Sequence, residues 1–250
     1  MNDVHNVNVV HEFVPHARRR EDKTEALLDA AMTLLDREGA REGLEALTLQ
    51  RVARELGLVT TAIYRYFPSK DALLAALQRR AVQTIHEHFT TVLSDLRVKL
   101  AGRKLAPEVA ALAPILAAAR AYVDLPKTHP ETFRLVSLLL GDTRMLIADE
   151  EALRTVPLVI AFLGDVHALF ARAAEAKAIA REHAPEQCTL VLWSTLHGLA
   201  QIEKLRRLAP GSPDALSLAD SATAALLRGF GAEPAHVTRA FRAISPAPLP

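Results

Sequence analysis

Cysteine and aromatic residues are scarce in this chain of 250 residues. Cys188 is the only cysteine, so no disulfide can form within the chain and a reduced, intracellular setting is expected. The simplest interpretation of Cys188 is a small buried apolar side chain rather than a reactive thiol. Aromatic residues make up 5% of the sequence, whereas Ala and Leu dominate and β-branched runs are short. This composition predicts an all-α protein.

A secretion signal and long apolar runs are also missing. The N-terminus lacks a charged segment followed by an apolar one. The longest apolar runs, around Leu135–Leu140 and Val156–Leu163, are shorter than the roughly 20 residues that cross a bilayer. The sequence therefore predicts a cytoplasmic protein without membrane contact.

Motifs of the common enzyme classes are absent as well. The chain has no Gly-x-Ser-x-Gly elbow, no glycine-rich phosphate loop and no paired metal-ligand motif. Its ten histidines lack the spacing of metal ligands. We therefore expect no catalytic residue, metal or cofactor. An all-α enzyme or an adaptor without DNA binding is the alternative from another class.

Basic residues are concentrated in one segment although the net charge is only +1. Residues 48–80 contain six basic and two acidic side chains. Such a patch on a near-neutral protein is typical of a small DNA-binding domain on a larger body. Residues 1–20 have no clear period and are expected to form a disordered arm. Its terminal Arg18, Arg19 and Arg20 are either a solvated charge cluster or contacts to DNA.

Two short amphipathic helices with a tight turn between them are predicted between residues 48 and 67. The first begins at the N-cap Thr48 and ends at Gly57. The second covers residues 60–67, with Val59, Ile63 and Phe67 as its buried stripe. A supporting helix is expected over residues 24–38, ended by Gly39. This pattern indicates a helix-turn-helix, which places its second helix in the DNA major groove.

The remaining helical patterns divide the chain into domains. We predict an arm over 1–20, a helix-turn-helix domain over 21–70, a helical body for ligand binding and dimerisation over 71–244, and a flexible tail over 245–250. The helices predicted after residue 70 cover 70–100, 107–125, 131–140, 155–182, 185–208, 216–230 and 235–244.

Residues 24–88 resemble the N-terminal domain of the TetR family of transcriptional regulators. The resemblance is carried by Thr48-Leu49, Val52-Ala53, Leu56-Gly57, Ile63-Tyr64-Arg65-Tyr66-Phe67 and Ser69-Lys70-Asp71-Ala72-Leu73. One departure is Ala62, where many members have Gly. The resemblance implies a homodimer, a palindromic DNA operator, repression as the usual outcome and release by a small-molecule effector. An activator of the same fold is the alternative, since that outcome depends on operator position.

Nine residues are the candidate DNA contacts. Hydroxyl and methyl groups can contact base edges, and Arg65 can contact either guanine or a phosphate. The resemblance places Tyr64 on a phosphate, and Lys70 suits the same role. The set is Thr48, Gln50, Thr60, Thr61, Ala62, Tyr64, Arg65, Tyr66 and Lys70.

Six residues of the body are candidates for an effector pocket that accepts an apolar or aromatic molecule. Each is equally compatible with plain core packing. They are Phe133, Phe162, His167, Phe170, Trp193 and His197. The last two long helices, around 187–208 and 216–230, are expected to pair with those of a second chain as a four-helix interface.

Overall fold

The computed structural model describes residues 16–141, 147–203 and 211–245. The described residues form helices joined by turns, without a β-strand, so the all-α prediction is confirmed. The helices are α1 His16–Ala46, α2 Leu49–Glu55, α3 Thr60–Ile63, α4 Lys70–Leu100, α5 Pro107–Thr128, α6 Pro130–Gly141, α7 Asp149–Leu153, α8 Val156–Glu175, α9 Pro185–Ile202, α10 Ala215–Gly229 and α11 Pro234–Ile244.

The chain divides into two compact units between Leu73 and Leu74, close to the predicted boundary after residue 70. We call the first unit the head and the second the body. The division falls within α4, which is continuous from Lys70 to Leu100.

Helix α1 is longer than predicted at both ends. It begins at His16, so Arg18, Arg19 and Arg20 are exposed helical residues and not the end of a disordered arm. Thr24 is an interior residue whose hydroxyl donates to the carbonyl of Arg20, because Arg, Glu and Lys favour helix in this stretch. The helix also continues through Gly39 and Gly43, since each glycine costs only about 1 kcal/mol within a helix. Residues 1–15 lie outside the described part.

The packing of the head follows the predicted pattern in α1 and α2. Leu27 and Ala31 of α1 are fully buried, as are Val52 and Ala53 of α2. An ion pair between Arg37 and Glu55, 2.9 Å long, also joins the two helices. Apolar burial is the main source of this packing, because exposed ion pairs contribute little.

Helix α3 is shorter than predicted. It ends at Ile63, and the backbone N–H groups of Tyr66 and Phe67 both bond to the Ile63 carbonyl. Pro68 disfavours helical geometry at the residue before it, which explains the tightened end. Val59 is also not part of the buried stripe: 72% of it is exposed, whereas Ile63 and Phe67 are buried.

The body is built around α5, which contacts α6, α8, α9, α10 and α11. Pro126 does not end α5, which continues to Thr128. The single helix predicted over 155–182 is shorter, because α8 ends at Glu175. Helix α9 ends at Ile202 rather than at 208, and residues 204–210 lie outside the described part. The tail residues 246–250 also lie outside it.

Cys188 is fully buried in the core of the body, as its simplest interpretation predicts. Burial raises the pKa of its thiol and so favours the unreactive protonated form.

Two described helices, α5 and α8, are long and apolar enough to cross a bilayer by length and composition alone. Core helices of globular proteins pass the same test of length and composition, so two such helices are weak evidence for a membrane span. Half of the apolar stretch of α5 is buried, which is ordinary for a core helix. Only 17% of the apolar stretch of α8 is buried, so this helix exposes apolar surface on the single chain.

Candidate nucleic-acid interface and effector pocket

The helix-turn-helix of the head is fixed by capping and by a glycine turn. The Thr48 hydroxyl accepts from the backbone N–H of Arg51 at 3.2 Å, which caps α2. Gly57 has φ +63°, a conformation that side chains with a Cβ disfavour. The Ser69 hydroxyl accepts from the N–H of Ala72 at 3.1 Å and caps α4. These local features set the starts of α2, α3 and α4.

A polar and aromatic surface surrounds the end of α3. The side chains of Thr61, Tyr64 and Arg65 are exposed, and half of Tyr64 is accessible. Ile63 and Phe67 are buried beneath them. Buried residues thus hold the segment in place while its hydrogen-bonding groups stay available to a ligand such as DNA.

Two contacts within the head involve basic residues of this surface. The Arg20 guanidinium donates to the carbonyl of Arg65 at 3.4 Å, which brings the exposed start of α1 beside the end of α3. The Lys70 ammonium donates to the carbonyl of Leu44, at the end of α1. Lys70 therefore joins two helices of the head in addition to any contact with DNA.

The body contains two adjoining apolar hollows, which we call together the body cavity. One is about 300 Å³ and the other about 50 Å³. Both are lined by Ile85, Tyr122, Phe162, Leu163 and Trp193. The larger hollow lies within the lower part of the size range of small-molecule sites.

A chain of polar side chains lies at the wall of the body cavity. The Trp193 indole N–H donates to the Tyr122 hydroxyl at 2.9 Å, and that hydroxyl lies 3.0 Å from His197 Nδ1. Gln201 Nε2 lies 2.8 Å from His197 Nε2. Desolvation by burial lowers the pKa of His197 and raises that of Tyr122. Both side chains are therefore uncharged at neutral pH.

Comparison with known proteins identifies the head. Residues 27–77 match the model of the tetR family of bacterial regulatory proteins. The head therefore contains a domain similar to the DNA-binding domain of that family. The nucleoid occlusion factor SlmA of Haemophilus ducreyi is 34% identical over 65 residues, which are 26% of this chain and 31% of that protein. The match thus spans about a third of the length of this curated relative.

Solved structures extend the likeness in fold to the body of the chain. AibR, in a complex with isovaleryl coenzyme A and operator DNA, has a TM-score of 0.59 at 17% identity, covering 84% of this chain and all of that one. SmeT, the repressor of a multidrug efflux pump of Stenotrophomonas maltophilia, has a TM-score of 0.57 at 18% identity, covering 91% and 97%. At such identities the likeness shows a shared fold.

The predicted DNA contacts of the head are accessible to different degrees. Thr48, Gln50, Thr61, Tyr64 and Arg65 are exposed. The half-buried members are Thr60, Ala62, Tyr66 and Lys70. No residue of the set is fully buried, and their contacts with DNA stay predictions.

The predicted pocket residues separate into two groups. Phe162 and Trp193 line the body cavity. Phe170 lies outside the lining of both hollows: it is fully buried, and its ring lies 6.1 Å from that of Phe230. Phe133 and His197 are buried neighbours whose rings lie 5.4 Å apart, behind the cavity wall. Size and aromatic character alone could not separate pocket residues from core residues.

His167 is also absent from the lining of either hollow of the body cavity. It is half-buried on α8, between the lining residue Val166 and the core residue Leu169. A helix turns 100° at each residue, so neighbours in sequence face different directions.

The sequence analysis did not identify four residues that the structure places at the body cavity or beside α3. Tyr122 and Gln78 line the larger hollow, and Thr189 lines the smaller one. Tyr122 is the only tyrosine outside the head, a signal that could have been noticed. The exposed Val59 precedes α3 and offers an apolar side chain to a thymine methyl group.

Proposed function

We propose that this protein is a transcriptional regulator that binds a palindromic DNA operator as a homodimer, acts as a repressor and is released by a small molecule bound in the body cavity. The exposed surface formed by Thr61, Tyr64 and Arg65 carries this proposal. It combines hydroxyl groups, an aromatic ring and a cation on a short segment held by buried neighbours, as a major-groove element requires. The described residues include no group of three or more His, Cys, Asp or Glu side chains able to hold a metal ion.

The relatives support the same proposal. AibR is described in complex with operator DNA and an acyl coenzyme A, and SmeT is described as a repressor. A regulator of this kind acts in the cytoplasm, where the DNA is. Regulation, rather than an enzymatic reaction, is therefore the activity that we assign to the chain.

Exposed apolar side chains of the body support dimerisation through its C-terminal helices. Leu190 and Val191 of α9 are exposed, as is Leu216 of α10, which fits the predicted four-helix interface. Helix α8 adds the exposed side chains of Val156 and Ile160, and 64% of Ile160 is exposed. Such surface is typically covered by a partner. In a two-fold dimer the recognition segments must lie about 34–36 Å apart to reach successive major grooves.

The dimer is released from DNA if the effector binds better to a conformation in which the two recognition segments are too close or too far apart to reach successive major grooves. The affinity for DNA then falls by that difference, typically about 1–3 kcal/mol or 5–150-fold.

The DNA-binding proposal is tested by selecting bound duplexes from a random-sequence library and measuring the affinity of the purified chain for the selected site. We expect specific binding that weakens steeply with salt. Tyr64→Ala should reduce the affinity about tenfold. Arg239→Ala, an exposed cation of α11, is the matched control and should not change it. Failure to enrich any sequence would refute the proposal.

A further inference from the structure

The body cavity contains two polar atoms without a partner. The Thr189 hydroxyl oxygen on α9 is buried and has no hydrogen bond, in a residue that is 1% exposed. The Gln78 Oε1 atom on α4 is also buried and has none. Thr189 lines the smaller hollow and Gln78 the larger one. Less than 1 Å² of either atom is accessible, so a molecule in the cavity bonds to it only when the side chain turns toward the cavity. Buried polar atoms are normally paired, so an unpaired atom of a lining residue points to a bound molecule as its partner.

The walls of the body cavity carry no formal charge. None of the residues lining the two hollows is Asp, Glu, Lys or Arg. The two ionisable residues of the lining are Tyr122 and His88. Burial lowers the pKa of His88 and raises that of Tyr122, so both are neutral at physiological pH. A charged group would lose its hydration here without gaining an ionic partner, which is strongly unfavourable.

The existing hydrogen bonds determine which wall atoms remain available. The Tyr122 oxygen is already bonded to Trp193 and faces His197. Two groups of the lining lack a hydrogen bond: the Gln78 amide oxygen, which only accepts, and the Thr189 hydroxyl, which both donates and accepts. A molecule that satisfies Gln78 must therefore supply a donor. A hydroxyl meets this need, and because it also accepts, it suits either orientation of the amide.

We propose that the effector is an uncharged, mainly apolar molecule carrying a hydroxyl group that donates to Gln78 Oε1. Apolar contact with Phe162, Trp193 and their neighbours supplies most of the affinity, and the hydroxyl supplies the selectivity. The Thr189 hydroxyl bonds to a second polar atom in those effectors that have one. This inference rests on the proposed function, because it names the chemical class of the effector.

The test uses four probes with the same ten-carbon chain: 1-decanol, 1-methoxydecane, decanoate and decylammonium. Trp193 is the only tryptophan and lines the body cavity, so its fluorescence reports binding at this site. We expect 1-decanol to bind tightest. The methyl ether, which cannot donate, should bind about three- to tenfold more weakly. The two ions should bind at least about 100-fold more weakly.

Two variants assign the selectivity to Gln78. Gln78→Leu removes the acceptor, so 1-decanol should lose about three- to tenfold in affinity while the ether does not. Thr223→Val is the matched control. It removes a hydroxyl that is equally buried and partnerless but lies on α10, outside the lining of the body cavity. This variant should leave both affinities unchanged.

Several results would overturn the proposal. The proposal is wrong if either ion binds more tightly than 1-decanol, if the alcohol and the ether bind equally, or if the alcohol does not bind. It is also wrong if Gln78→Leu still prefers the alcohol to the ether as strongly as the unaltered chain does. If Gln78→Leu does not fold, the affinities of the four probes for the unaltered chain still test the proposal.

Operator binding measured without any probe separates this inference from the proposed function. Normal operator binding together with failure of the alcohol overturns only the effector class. Absence of an operator overturns the proposed function, whatever the alcohol does.

Discussion

The indole N–H of Trp193 donates to the phenol oxygen of Tyr122 over 2.9 Å, which joins α9 to α5. His197 and Gln201 continue the chain of hydrogen bonds along α9. Polar groups in an apolar core are costly when they lose a partner. The four side chains therefore fix how α5 and α9 meet beside the body cavity.

Tyr122→Phe should destabilise the body by about 1–3 kcal/mol, because it leaves the Trp193 N–H and His197 without their shared partner. Urea unfolding followed by the emission of the single tryptophan measures the free energy of unfolding. Tyr66→Phe is the control: it removes the hydroxyl of a half-buried tyrosine of the head, and a change below about 0.5 kcal/mol is expected. A loss below about 0.5 kcal/mol in Tyr122→Phe as well would show that the hydrogen bonds of its hydroxyl contribute no stability.

Stability should decrease in weak acid because of His197. Burial lowers its pKa in the folded chain below the value of about 6.5 in the unfolded chain. The unfolded state therefore binds the proton more readily. The contribution of neutral His197 to the stability of the folded chain is complete above about pH 6.5, and it is lost as the pH falls through the lowered pKa.

Unfolding free energies measured from about pH 7.5 to about pH 5 check this expectation. His197→Gln should make stability less dependent on pH over that range. His88 has a lowered pKa as well, so His88→Gln should remove a separate part of the dependence. An unchanged pH dependence in the His197 variant would contradict the assignment.

We expect Arg65 to contact a phosphate rather than a guanine. Helix α3 ends at Ile63, so Arg65 lies in the turn beyond the helix, where a long cationic side chain can reach the DNA backbone. Arg65→Lys keeps the charge and should retain operator affinity within about threefold, whereas Arg65→Ala should reduce the salt dependence by about one counterion for each head. Affinities over a salt series measure this. Loss of discrimination at one base pair in Arg65→Lys would instead indicate guanine.

Gly231→Ala should be more destabilising than Gly211→Ala. Both glycines have positive φ, +92° and +96°, so both substitutions strain the backbone. A Cβ at Gly231 would also lie 3.1 Å from the Cβ of Ala180, whereas one at Gly211 meets nothing within 4 Å. We expect a loss of roughly 1 kcal/mol at Gly211 and about 2–4 kcal/mol at Gly231. Thermal unfolding of the two variants gives the comparison, and equal losses would exclude a steric contribution.

Local chemistry made much of the head predictable. Thr48 and Gly57 carry their structural roles in their own side chains, as a hydroxyl cap and as the absence of a Cβ. The sequence predicts that Val59 is buried and that a helix ends before Pro126. Both predictions are wrong, because tertiary packing overrides periodicity and helix-breaking tendency. Pro126 lacks the N–H that would bond within α5, yet the helix continues to Thr128.

The candidate pocket was less predictable than the head. Phe162 and Phe170 are similar in sequence terms, yet one lines the body cavity and the other is packed against Phe230. That distinction depends on distances between helices far apart in sequence. The role of Gln78 depends on the missing partner of one atom, which no residue pattern encodes.

The complete burial of Cys188 leaves the protein without an accessible native thiol. A cysteine placed at an exposed position of the head, as in Val59→Cys, is then the sole attachment point for a spin label or dye. Two such labels in a dimer act as a molecular ruler, so the distance between recognition segments can be followed in solution without rebuilding the chain.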